Sequence, residues 1–291
     1  MVRYVDLRAV TQPVGILRML EVALTCVSLA LVASAGHSSS SYWAWCMFSW
    51  VLCCALTLLI LLLELSTLSA RLPISWDDFT TAFATLAALM LLAASVIYPA
   101  VLFSCPGCGR QVGATVTSWA SVAAYIGEVV LVRFFQRSGQ VSGFLSTVPG
   151  LLKIVETFVA CIIFTSLSPA RYASHPALQW CVAVYALCFV FALLIIVLTV
   201  GQLLARVPHL DTLVCVYNVL AVLMYMSVVV VWPLYSFRNH PRPTNCTVSA
   251  GACLSWDGLV VVTFMTVINL GVYILDAAYS IHLVFIVQRR S

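Results

Sequence analysis

The sequence predicts an all-α membrane protein whose eight transmembrane helices form two copies of a four-helix unit. Three observations carry that prediction: eight apolar runs long enough to cross a bilayer, a very small charged fraction, and an internal repeat. Hydrophobic residues make up 63% of the 291-residue chain and charged residues 8%, where a soluble domain carries about 25%. A water-exposed surface cannot be built from so few charges, so a soluble enzyme is excluded. The net charge of +4 comes from scattered bases. They form no basic patch, which excludes a nucleic-acid partner.

The runs extend from Gly15 to Ala35, Trp43 to Ser66, Phe79 to Phe103, Ala114 to Phe135, Pro149 to Leu167, Leu178 to Leu204, Leu210 to Tyr235 and Leu259 to Val287. Each approaches or exceeds the roughly 20 residues that a helix needs to span the hydrocarbon core. They are too continuously apolar for barrel strands, which alternate between two faces. Val22 to Val32 followed by Ala33-Ser34-Ala35 looks like a signal peptide with its cleavage site. The segment has a counterpart in mid-chain, so it is read as a retained span.

An even number of spans puts both termini on one side, and positive charge selects the side. With the termini inside, Arg3, Arg8, Arg71, Arg133, Arg137, Arg206, Arg289 and Arg290 are cytoplasmic. Only Arg110, Arg171, Arg238 and Arg242 fall in outer loops. Asn245-Cys246-Thr247 is a glycosylation sequon in an outer loop, with Asn245 as the acceptor. Cys105, Cys108, Cys246 and Cys253 are also outside, where disulfides persist.

Gly15-Ile16-Leu17-Arg18-Met19-Leu20-Glu21 recurs as Gly150-Leu151-Leu152-Lys153-Ile154-Val155-Glu156. In the same register Cys26 maps to Cys161, Trp45-Cys46 to Trp180-Cys181, Leu52-Cys53 to Leu187-Cys188, and Arg71-Leu72-Pro73 to Arg206-Val207-Pro208. Tyr98-Pro99 maps to Trp232-Pro233, and Tyr125-Ile126-Gly127-Glu128 to Tyr273-Ile274-Leu275-Asp276. Copies with four spans each share one orientation, so the repeat is parallel rather than inverted. The polar, glycine-containing stretch from Gln136 to Gly143 suits a linker, placing the first unit at 1–138 and the second at 139–291. Short loops make each copy an up-down-up-down bundle.

Charge inside a bilayer is expensive and often functional. The chain places five carboxylates there: Glu21, Glu64, Glu128, Glu156 and Asp276. Arg18 and Lys153 each precede an acid by three positions, which puts base and acid on one helix face. The structural reading is a set of ion pairs with Arg18 and Lys153 snorkelling to the interface. The functional reading is a proton or cation path, but the outer halves offer only Ser95, Thr117, Ser118 and similar groups to continue it. If the first and last helices of each bundle are neighbours, Arg18 and Glu21 face Glu128, and Lys153 and Glu156 face Asp276.

The outer cysteines allow three pairings, among them Cys246–Cys253 with Cys105–Cys108, and a four-thiolate zinc site is the alternative. Their outer location favours disulfides. The intramembrane cysteines read as small apolar fillers. Trp43, Trp45, Trp180, Trp232 and Tyr235 read as an aromatic belt. Gly127, Ala123 and Ala124 are small residues that would permit close helix contact. The histidines do not cluster, and the chain has no nucleotide-binding glycine loop, zinc-protease motif or serine elbow. No metal, cofactor or enzymatic activity is expected.

The segments that carry the repeat also carry a resemblance. Thr147 through Lys153, Glu156 through Cys161, Gln179 through Tyr185, Trp232-Pro233-Leu234-Tyr235 and Ile281-His282-Leu283-Val284-Phe285 resemble the myeloid-associated differentiation marker family. That resemblance implies two tandem MARVEL domains, the four-helix module also found in MAL and synaptophysin-like proteins. It implies association with condensed, cholesterol-rich plasma membrane, membrane organisation, and trafficking or cell-junction behaviour, without catalysis. The expected partners are membrane lipids, other membrane proteins and cortical factors at the inner face. A proton or cation channel using the buried carboxylates is the alternative function.

Overall fold

A computed structural model of the chain describes residues 11–36, 41–72, 74–102, 109–136, 148–167, 175–201, 210–238 and 250–290. Eight long helices account for nearly all of them: α1 (Pro13–Ala35), α2 (Ser41–Leu65), α3 (Trp76–Leu102), α4 (Gly109–Gln136), α5 (Val148–Ser166), α6 (Pro176–Val200), α7 (Leu210–Arg238) and α8 (Ala250–Arg290). A short 3₁₀ turn, Ser69–Arg71, lies between α2 and α3. All eight are long and apolar enough to cross a membrane. No strand occurs among the described residues. The chain divides into two compact units, Met1–Ser146 and Thr147–Ser291.

Local chemistry sets the helix ends. Pro13 opens α1, where its fixed φ suits the first turn and its missing N–H is not needed. Gly36 ends the helix at φ 120°, a conformation that side-chain-bearing residues avoid. At the start of α3 the Ser75 hydroxyl donates to Asp78 Oδ2 at 2.8 Å. Asp77 and Asp78 occupy the first turn, where the helix dipole favours negative charge. Pro99 lies inside α3 and Pro233 inside α7, a position that membrane helices tolerate because neighbouring groups satisfy the freed carbonyl. α8 starts at Ala250 rather than near Leu259. Its first turns are less apolar than the rest, so a search for hydrophobic runs passes over them.

Within each unit the helices close a ring, each packing on the one before and the one after it, with the fourth returning to the first. In the first unit, contacts pair Arg18 with Glu64 and Cys26 with Cys54 between α1 and α2. Between α1 and α4 they pair Arg18 with Glu128 and Ser28 with Thr117. In both sets one number rises as the other falls, which defines antiparallel neighbours. The core of the first unit includes Cys46, Trp50, Cys53, Leu91 and Tyr125. That of the second includes Cys181, Tyr185, Cys188, Tyr225 and Tyr273.

The outward faces are apolar, with Leu62, Val116, Leu223, Val230 and Phe264 all exposed. Contiguous exposure of this kind fits lipid rather than water. One aromatic departs from the belt reading. Trp232 is buried in the second unit, with its ring 6.1 Å from that of Tyr185, whereas Trp180 and Tyr235 are exposed. Trp232 follows Val228, also buried, by one helical turn, so the rotation of α7 turns it inward. At Gly127 an added Cβ would sit 3.9 Å from Leu17, an ordinary contact. The tighter glycine positions are Gly113, where an added Cβ would sit 3.3 Å from Leu31, and Gly258, where it would sit 3.2 Å from the Ser166 carbonyl.

Candidate functional site

Among the described residues each unit holds one buried base surrounded by acids, at the end of the bundle where its first helix begins. In the first unit the base is Arg18, in the second turn of α1. Its Nε donates to Glu128 Oε1 on α4 at 2.6 Å. Its Nη1 donates to Glu64 Oε1 near the end of α2. The same Glu64 oxygen accepts from Trp76 Nε1, at the start of α3, at 2.9 Å. One guanidinium and one carboxylate therefore tie four helices together. The planar fork of arginine, with several donors in fixed directions, is what permits two acids on two helices to be held at once. Arg18 and Glu128 are buried, and the Glu64 side chain keeps 18% exposure.

Glu21 is placed differently. It is fully buried, shares a side-chain hydrogen bond with Glu128 and interacts electrostatically with Arg18. Neither of its carboxylate oxygens accepts a hydrogen bond from a donor among the described residues. The base one turn before it is engaged elsewhere.

In the second unit Lys153 takes the place of Arg18. Its Nζ lies 2.8 Å from Glu156 Oε2 and 2.7 Å from Asp276 Oδ2. It donates to Asn218 Oδ1 on α7 at 2.6 Å. The Asn218 amide donates in turn to Ser280 Oγ on α8 at 2.9 Å. The ammonium also sits over the Tyr217 and Tyr273 rings, 4.8 Å and 5.3 Å from their centroids, where cation–π attraction is strengthened by desolvation. Lys153, Glu156 and Asp276 all have 0% side-chain exposure. Neither base snorkels: both turn into their bundles.

Further buried polar contacts lie along each bundle. In the first unit Tyr125 and Thr57 share a hydrogen bond of 2.5 Å. Further along, Trp50 Nε1 donates to Ser118 Oγ at 3.0 Å, and Ser118 pairs with Ser95 at 2.7 Å. In the second unit Tyr217 donates to the Cys188 carbonyl at 2.9 Å, Asn269 Nδ2 donates to the Tyr225 hydroxyl at 2.8 Å, and Tyr185 pairs with Thr266 at 2.7 Å. Buried polar groups that find such partners rigidify a core.

The structure thus brings Arg18, Glu64 and Glu128 together, and separately Lys153, Glu156 and Asp276. A search limited to acids and bases passes over Asn218 and Trp76. An asparagine inside an otherwise apolar span was the signal for the first. Trp76 stands next to Asp77 and Asp78 at a helix start, a position that does not advertise a partner on α2. Cys105, Cys108, Asn245 and Cys246 lie outside the described residues, as does the side chain of Cys253. Cys46, Cys53, Cys181 and Cys188 are buried among apolar neighbours. No group of His, Cys, Asp and Glu among the described residues is arranged to hold a metal ion.

Comparison with known proteins adds identity to this geometry. The family model described as MARVEL, membrane-associating domain, matches residues 9–131 and again residues 144–279. The human protein named myeloid-associated differentiation marker is 42% identical over 96% of this chain and 90% of its own. A Xenopus laevis protein named myeloid-associated differentiation marker homolog is 42% identical over 94% of each chain. The mouse protein named myeloid-associated differentiation marker-like protein 2 is 42% identical over 97% of this chain and 95% of its own. No solved structure matches.

Proposed function

The chain belongs to the myeloid-associated differentiation marker family of proteins with a repeated MARVEL domain, and from that premise we propose that it is a non-enzymatic organiser of condensed, cholesterol-rich plasma membrane. Both termini face the cytoplasm in this reading. Its partners are membrane lipids, other membrane proteins and cortical factors at the inner face, and it acts in trafficking and at cell junctions.

The observation that carries the reading is the distribution of polarity. Arg18 with Glu64 and Glu128, and Lys153 with Glu156 and Asp276, engage one another within their bundles, while the outward faces are apolar. A membrane helix bundle with such flanks interacts with its surroundings by packing against acyl chains and other helices. Selection between ordered and disordered lipid is a property that such a surface can have without any reaction.

The reading is tested by reconstituting the full chain into phase-separating vesicles that contain cholesterol, while recording partitioning and ion flux on the same preparation. The expected outcome is enrichment in the ordered phase without flux. Equal partitioning between phases would remove the organiser role. Flux that disappears in Glu128→Gln or Asp276→Asn would replace it with a proton or cation pathway.

A further inference from the structure

The thiols of Cys26 on α1 and Cys54 on α2 are 3.4 Å apart, sulfur to sulfur. Cys26 is exposed and Cys54 partly so. Both lie near the middle of their helices. In a chain that spans the membrane, an exposed mid-helix position faces the hydrocarbon. The cysteines buried in the cores have no such outlook: Cys46, Cys53, Cys181 and Cys188 are all enclosed.

The second unit supplies a natural contrast. Cys161 occupies the place of Cys26 and is also exposed. The place of Cys54 is taken by Phe189, which packs edge-on against Phe164 with ring centroids 5.5 Å apart. The second unit has the outward thiol without the neighbour.

We propose that Cys26 and Cys54 form a lipid-facing dithiol that reacts with lipid peroxyl radicals and closes to a disulfide joining α1 to α2. Ionic routes to a disulfide begin with a thiolate, and a charge in the hydrocarbon is costly. Hydrogen-atom transfer needs no charge. One peroxyl radical takes the hydrogen atom of the Cys26 thiol and becomes a lipid hydroperoxide, leaving a thiyl radical. A second does the same at Cys54. The two thiyl radicals then couple, forming the S–S bond. Two S–H bonds break, two O–H bonds and one S–S bond form, and the peroxyl radicals are the oxidant. The sulfurs must approach by about 1.4 Å to reach disulfide length, a movement within reach of side-chain rotation between two adjacent helices.

The test uses the full chain in nanodiscs of polyunsaturated phospholipid, peroxidised with a lipid-soluble azo initiator, then alkylated and analysed by peptide mass. The expected product is a linkage through Cys26 and Cys54, lighter by two hydrogen atoms, with Cys161 in no such link. In nanodiscs of fully saturated lipid only the initiator's own peroxyl radicals form, so the link should appear more slowly and in lower yield; an equal yield overturns the role of lipid radicals. Copper-phenanthroline serves as a geometric control and should join the same pair. Failure of that control overturns the adjacency. A positive control, with both thiols left intact by peroxidising lipid or converted to sulfonic acids without a link, overturns the radical chemistry. Cys54→Phe and Cys54→Ser should each abolish the link and shorten the lag before lipid hydroperoxide accumulates. An unchanged lag in both variants overturns the protective reaction with lipid.

Discussion

The two units solve one problem with different chemistry. Each gathers helices at one end of its bundle around one base that is buried among the described residues. The first uses an arginine that reaches acids on two other helices, one of them still touched by solvent. The second uses a lysine in a dry site, supported by two acids, an asparagine and two tyrosine rings. In the repeat register Glu64 of the first unit falls on Thr199 of the second, and Phe83 falls on Tyr217. The acid supplied by the second helix in one unit is thus replaced by neutral and aromatic partners on the third in the other. A lysine is a point charge that several kinds of group can surround, whereas a guanidinium requires carboxylates along its fork. The repeat keeps the location of the clamp and lets its partners drift with the base.

The largest effect that this contrast predicts is at Lys153. Lys153→Met leaves Glu156 and Asp276 buried without their base, a loss of about 3–5 kcal/mol. Thermal or chemical unfolding of the full chain in nanodiscs should show the second unit melting first, detected by alkylation of its buried Cys181 and Cys188. Retention of wild-type protection there would break the idea that the lysine holds the unit together. Arg18→Lys should cost less, about 1.5–3 kcal/mol for the charged hydrogen bond that a single ammonium cannot keep. Its readout is earlier alkylation of Cys46 and Cys53. The substitution that imports the other unit's base would be neutral only if the partners were interchangeable, which the geometry denies.

A smaller effect is expected at the aromatic layer. Tyr217→Phe restores the residue type that the first unit has at Phe83. It keeps a ring beside Lys153 and removes the hydroxyl bonded to the Cys188 carbonyl and to Tyr273. A loss of about 1 kcal/mol is expected. Tyr217→Leu should lose more because the cation–π contact goes as well, and equal losses in the two variants would remove the ring from the argument.

The spans and their repeat were legible because both rest on long, redundant patterns: apolar length for the helices, many matches in one register for the copies. The assignment of these helices to a MARVEL-type membrane protein was legible in the same residues. Which acid meets which base was legible only in part. The pairing of Lys153 with Glu156 follows from spacing along one helix. The turn of Arg18 away from Glu21 toward Glu64 depends on the distance between α1 and α2 and on the rotation of each, which no local spacing encodes. Trp232 illustrates the same limit. A tryptophan near the end of an apolar run has the composition of an interface anchor, and only the phase of α7 decides that it points inward.

The smallest predicted change is also the most discriminating. Glu21 and Glu156 are equivalent in sequence and both fully buried, so composition alone predicts that neutralising either has the same consequence. The geometry predicts a loss at one and none at the other. Glu156 accepts from Lys153 at 2.8 Å, and Glu156→Gln exchanges an ion pair for an ammonium–amide hydrogen bond, a loss of about 1–2 kcal/mol. Glu21 accepts no such bond among the described residues, and it stands beside Glu128 in a cluster that has three acids for one base. Glu21→Gln keeps a side chain that can donate to Glu128 and removes a buried acid from that crowded cluster, so stability should be unchanged or higher by up to about 1 kcal/mol. Unfolding midpoints of the two variants, measured side by side in the same nanodiscs, decide the matter. A loss at Glu21 as large as that at Glu156 would mean that Arg18 serves Glu21 as Lys153 serves Glu156, and the contrast between the two clamps would collapse.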